Sequence, residues 1–144
     1  MKTTFSREDA CKILFDSFCN GGIQELYYSN VIIDWDDSPN HHNYIDAKAR
    51  LQEKDKSGIC YEDVILEILR NGDEKTFGNV VVFKDVESIE NHELTLNSAL
   101  DKINSLPESQ KKDLIKILNE DTDCDAWTSF NALQLCLLGD VVFG

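Results

Sequence analysis

Two prolines and seven glycines in 144 residues leave little room for long flexible linkers. No stretch approaches the ~18 apolar residues of a membrane-spanning helix. Residues 1–9 turn acidic where a secretory signal would become apolar, so no leader is expected. The five cysteines, Cys11, Cys19, Cys60, Cys124 and Cys136, are odd in number and contain no C-x-x-C pair. That spacing argues against a disulfide framework and for reduced thiols in a cytoplasmic protein, most of them small core residues. Catalytic signatures are missing as well: there is no G-x-S-x-G, no H-E-x-x-H, no Walker loop and no dinucleotide glycine fingerprint. Basic side chains are scarce, 14 against 27 acidic ones, for a formal net charge of −13. Direct binding to DNA, RNA or anionic lipid is disfavoured, since it needs Lys and Arg to displace counterions. After Lys116 no Lys or Arg occurs at all, while Glu120, Asp121, Asp123, Asp125 and Asp140 follow.

What is present suits a single domain with one core: 42% hydrophobic and 28% charged residues are ordinary globular values. Ser6 can N-cap a first helix, with Asp9 at N3 and Phe5 and Ala10 as staple residues, and Gly21-Gly22 ends the run. Residues 23–35 read as one or two strands, followed by a turn over 36–40 and a polar helix over about 43–54, with Tyr44, Ala47 and Leu51 inward. The clearest helix covers about 61–70, with Tyr61, Val64, Ile65, Ile68 and Leu69 on one stripe and Glu62, Asp63 and Glu67 opposite; Asn71-Gly72-Asp73 stops it. Strands are expected over 77–83, beginning at Phe77, and over 93–96. Helices then follow over about 97–105, 106–119 and 123–138, the last placing Ala126, Trp127, Phe130, Leu133 and Leu137 on one stripe. Residues 141–143 could add a terminal strand. The mixture lacks βαβ alternation, so the expected fold is α+β: about five helices packed on a small, mostly antiparallel sheet. The core should contain Ile13, Leu14, Phe18, Val64, Ile65, Ile68, Leu69, Val81, Phe130 and Leu133.

Three constellations could carry chemistry. Asp34, Asp36, Asp37, His41 and His42 fall within nine residues, yet adjacent histidines diverge on either a strand or a helix, so a polar turn is the better reading. Residues 121–125 begin like a calcium loop, but Ala126 and Ala132 stand where glycine and the bidentate glutamate are required. These acids serve a helix start instead, near its exposed N–H groups. Among the thiols, Cys124 lies between Asp123 and Asp125, which should raise its pKa and suppress the thiolate. No metal, cofactor or catalytic residue is therefore expected. Trp35, between Asp34 and Asp36, and Trp127 both read as core anchors.

The segments Cys60-Tyr61-Glu62-Asp63-Val64-Ile65-Leu66-Glu67-Ile68-Leu69 and Gly139-Asp140-Val141-Val142-Phe143-Gly144 resemble small acidic uncharacterised proteins of gut bacteria and their mobile elements, over about residues 59–144. The resemblance implies a setting in which acidic inhibitors of defence systems are common, anti-CRISPR and antirestriction proteins among them; it assigns no activity. The expected function is a non-enzymatic binding protein whose acidic face occupies a basic, nucleic-acid-binding surface of a protein partner. Glu120, Asp121, Asp123 and Asp125 are the expected contacts, with Asp34, Asp36 and Asp37 as a second acidic surface. The alternatives are an acidic accessory or immunity-type protein with another partner, and an enzyme of unrecognised family. The oligomeric state stays open.

Overall fold

The computed structural model describes residues 3–54, 58–72 and 78–144. In chain order its elements are α1 (Arg7–Cys19), α2 (Gly22–Tyr28), β1 (Val31–Ile33), α3 (Asn40–Lys54), α4 (Tyr61–Asn71), β2 (Val81–Asp85), β3 (Asn91–Leu94), α5 (Leu96–Asn104), a 3-10 turn (Glu108–Gln110), α6 (Lys112–Leu118) and α7 (Ala126–Leu138). Among the described residues the fold is α+β, seven α-helices and one three-stranded antiparallel sheet. All ten expected core residues are at most 2% exposed. Backbone contacts divide the chain into two compact units, residues 1–30 with 96–144, and residues 31–95.

The first unit is helical and is built around α7, which packs against α1, α2, α5 and α6. Residues 128–130 and 132–137 are all buried, so this helix is enclosed around most of its circumference. The expected single stripe fails at its first turn: Ala126 and Trp127 are exposed, while Thr128 and Ser129 turn inward. A second correction concerns residues 23–28, expected as strand and found within helix α2. Burial of Gly22 and Leu26, four residues apart, is helical spacing. A Cβ on Gly22 would stand 2.7 Å from the Ser17 carbonyl oxygen and 3.2 Å from the Leu133 side chain, so glycine here lets α2 close onto α7. This added helix takes the count beyond the expected five or so.

At the start of α1, the Asp9 N–H donates to Ser6 Oγ at 3.1 Å and the Ser6 N–H to Asp9 Oδ2 at 2.9 Å, the expected capping box. Phe5 and Ala10 are buried beside it, as a staple requires. The segment before the cap is strapped to the α5–α6 connection. Asn104 accepts from the Phe5 N–H at 2.7 Å and donates to the Phe5 carbonyl at 3.0 Å. The fully buried Lys111 ammonium donates to the Thr3 carbonyl at 2.6 Å and pairs with Glu108 at 3.4 Å. By turning Lys111 inward the chain breaks the expected 106–119 helix into a 3-10 turn and α6. Bonds from the Thr3 N–H and hydroxyl, with Lys111 beside them, hold the Glu108 carboxyl below its ordinary range.

Residues 141–143 do not form a strand. Gln134, fully buried on α7, holds them instead: its Oε1 accepts from Val142 N–H at 2.9 Å and Phe143 N–H at 2.7 Å, and its Nε2 donates to the Phe143 carbonyl at 3.0 Å. Two consecutive N–H groups converging on one oxygen are incompatible with a β ladder, in which successive N–H groups point to opposite sides.

The second unit holds the sheet, in the order β1-β2-β3, with α3 and α4 against β2. Val31 pairs with Asp85 and Ile33 with Phe83 on one side, and Val81 pairs with Leu94 on the other. The strands begin later than expected for β2 and earlier for β3; Phe77, like Asp73 in the expected helix stop, lies outside the described residues. Val81 and Phe83 alternate inward and are fully buried. β1 stops at Ile33, and two asparagines one turn apart on α3 continue its role. Asn40 accepts from the Val82 N–H and donates to the Val82 carbonyl, both at 2.8 Å, while Asn43 donates to the Val80 carbonyl at 3.0 Å. Because Asn40 meets a donor and an acceptor on one residue, its amide orientation is unambiguous.

Glu67, expected on the solvent side of α4, is buried. Arg50 at 3.2 Å and Lys54 at 4.0 Å compensate its charge and tie α3 to α4, while Asn71 of α4 donates to it at 2.9 Å. Tyr61, placed on the apolar stripe, is exposed instead, at the helix's first residue.

The β2–β3 turn is set by Asp85, whose Oδ1 accepts from the Glu87 and Ser88 N–H groups. It forces Ile89 to φ +63°, a left-handed conformation that a β-branched residue adopts only under strain, and leaves its side chain 81% exposed. Relief of about 1–2 kcal/mol of strain exceeds glycine's added chain entropy of about 0.5–1 kcal/mol. Ile89→Gly is therefore expected to raise stability by up to about 1 kcal/mol, read as a higher denaturation midpoint. A lower midpoint would show that the turn does not strain this residue.

Candidate functional site

The expected acidic cluster falls on the connection from α6 to α7, residues 119–125. Glu120 leaves α6 at φ +55° and, with Asp121, returns its N–H to the α6 carbonyls of Ile117 and Lys116. Folding brings back two lysines from earlier in the chain. Lys116 pairs with Asp123 at 3.1 Å, and Lys12 of α1 pairs with Glu120 at 3.3 Å while also donating to the Leu118 carbonyl at 3.2 Å. Asp125 N-caps α7, accepting from the Thr128 N–H at 3.0 Å. Asp121 is exposed, and among the described residues no hydrogen bond or ion pair engages its carboxylate.

These roles set the ionisation of the group. The Lys116 ammonium holds the Asp123 carboxyl below its ordinary range and is itself pushed up by that partner; the Thr128 N–H and hydroxyl hold Asp125 down. A lowered carboxyl contributes stability above the unfolded-state pKa and loses it as pH falls through the folded value, so both tie-downs weaken in acid. Beside them stands Trp127, expected in the core and found 53% exposed on the first turn of α7, its ring 5.8 Å from that of Phe130.

Two faces of α1 explain a set that the sequence reading passed over. Ile13, Leu14 and Phe18 face the core, while Lys12, Phe15, Asp16 and Cys19 share the other side at i, i+3, i+4 and i+7. With Ile117, Glu120, Asp121 and Cys124 they line a cavity of about 420 Å³. Asp16 is held there by Ser129 Oγ at 3.2 Å and Asn20 Nδ2 at 2.9 Å. The Cys124 thiol is pushed up, first by burial and then by Asp16, Asp123 and Asp121. Cys136, fully buried on α7, is pushed up to about 12 by burial. Neither is poised as a nucleophile at neutral pH.

The second acidic group, in the other unit, is a turn. Asp34 Oδ1 accepts from the Asp36 N–H at 3.0 Å, and the Asp37 carbonyl accepts from the His41 N–H that opens α3. Asp34 and Asp37 line a smaller cavity of about 210 Å³ with Asn40, Val82, Lys84 and Ile89, while Asp36 is outside it. Trp35 is half-buried rather than enclosed, its ring 4.9 Å from that of Tyr44. The His41 and His42 rings meet edge-on at 5.4 Å. Among the described residues no three His, Cys, Asp or Glu side chains converge to hold a metal ion, and no helix is long and apolar enough to cross a membrane. Against protein families, curated proteins and solved structures alike, the chain finds no match.

Proposed function

We propose that this chain is a non-enzymatic acidic binding protein whose 119–127 segment docks on a basic, nucleic-acid-binding surface of a protein partner, in the manner of an anti-CRISPR or antirestriction inhibitor. The observation that carries the reading is Trp127, 53% exposed on the first turn of α7 directly after Asp121, Asp123 and Asp125 in the chain, on a helix whose residues 128–130 and 132–137 are all buried. Tryptophan is the residue most enriched at the energetic centre of interfaces, and surrounding charges of one sign steer association. Residues 117–144 carry five carboxylates and no Lys or Arg, so their field favours a cationic partner. The paired acids Glu120 and Asp123 stay largely exposed, their side chains 78% and 67% accessible, and Asp121 is uncommitted.

The test is competition. Proteins retained by the immobilised chain should be basic, and both short duplex DNA and raised salt should release them. Asp121→Lys with Asp123→Lys should weaken retention several-fold, chiefly by slowing association, and Trp127→Ala should speed dissociation. Each variant must melt near the parent temperature for the comparison to count. Retention indifferent to salt, to DNA and to the charge reversal would refute the reading.

A further inference from the structure

We infer that the cavity beside α1 receives one cationic side chain of the partner, an arginine. This rests on the docking reading above and adds a specific pocket to it. Carboxylates on a flat surface attract any cation, whereas a surface recess lined partly by apolar side chains favours one that has a stem. The cavity, of about 420 Å³, has buried Ile117 and half-buried Phe15 in its lining. Asp16, Glu120 and Asp121 supply three carboxylates, and Lys12 the single ammonium among the lining residues. Lys12 already shows how a cation is received here, on the Leu118 carbonyl that ends α6 and on Glu120.

Asp16 is preorganised by Ser129 and Asn20, so a ligand need not order it. The carboxylates that push the Cys124 thiol up create a field at the same cavity that favours positive charge. A divalent metal is the competing ligand, but no three ligating side chains converge among the described residues. Arginine fits better than lysine. Its planar guanidinium can stack flat on the Phe15 ring and donate to carboxylates from its edge, whereas an ammonium can bridge two acceptors, as Lys12 does, but has no planar face to lay on the ring.

The experiment titrates isotopically labelled protein with Nα-acetyl-arginine amide and, separately, with the neutral citrulline and the lysine analogues, following backbone amide resonances. Saturable shifts confined to residues 12–20 and 117–124 are expected, at least tenfold weaker with citrulline and several-fold weaker with lysine. Glu120→Gln with Asp121→Asn should weaken the arginine response about tenfold, and Phe15→Leu about threefold, in variants whose spectra show the fold intact. No saturable shift, or equal shifts with citrulline, overturns the pocket; equal shifts with lysine overturn the choice of arginine. An arginine nonapeptide separates this inference from the docking reading. If it shifts residues 119–127 in a salt-sensitive way while the amide derivative leaves the cavity unshifted, the pocket fails and docking stands. If neither binds, both fail.

Discussion

Asn40→Leu is expected to cost about 2–4 kcal/mol, because it strands both the N–H and the carbonyl of Val82 in a part-buried place and replaces a close-fitting amide. The loss should appear as a lower denaturant midpoint at unchanged slope. Asn40→Asp makes a sharper comparison, since it keeps the shape and exchanges the donating nitrogen for an oxygen. As a carboxylate it would still accept from the Val82 N–H but would face the Val82 and Asp34 carbonyls, to which Asn40 now donates. Only its protonated form can donate there, so its folded-state pKa should lie above the unfolded one. The penalty relative to the parent protein should then be small in acid and grow as pH rises from the unfolded pKa through the folded one, while that of Asn40→Leu stays level. A cost below about 0.5 kcal/mol for Asn40→Leu would mean that the amide does not replace the missing strand.

Leu69→Ala is expected to cost about 2–5 kcal/mol, through lost transfer energy and the cavity left behind, because Leu69 is fully buried on α4. Ile45 on α3 provides the control. It is 52% exposed, and Ile45→Ala should stay within about 0.5 kcal/mol. Equal effects at the two positions would show that the α4 stripe is not the packed face of this unit.

The Ser6 capping box and helical spacing made α1 legible, and a strong amphipathic stripe made α4 so. The two helices carry seven of the ten core positions, the others being Val81 on β2 and Phe130 and Leu133 on α7. Helix α2 was misread because Ile23, Tyr27 and Tyr28 have the composition of a strand. Its helical state depends on Gly22 meeting α7, a contact more than a hundred residues away in the chain. Trp127 was misplaced for a related reason: the apolar character of α7 runs nearly all round, so no stripe tells which turn emerges. Glu67 looked like surface because a carboxylate is assigned outward until its partners are known, and Arg50 comes from another helix. In the candidate site the acids of 119–125 could be named from the absence of nearby bases. Lys12, Phe15 and Asp16 could not, since pairing α1 with the α6–α7 connection is a tertiary fact.

The side-chain amides of Asn40, Asn104 and Gln134 each grip a stretch of main chain by its own N–H and carbonyl groups. Such a grip is blind to the identity of the residue held. The mutational burden therefore falls unevenly on the two sides. The three amides should resist even the single-atom change to an acid once that acid is ionised, whereas exposed Val142 can drift to almost any residue except proline, which has no N–H to offer. Among relatives of this chain, the tail should vary freely in sequence around an amide that does not.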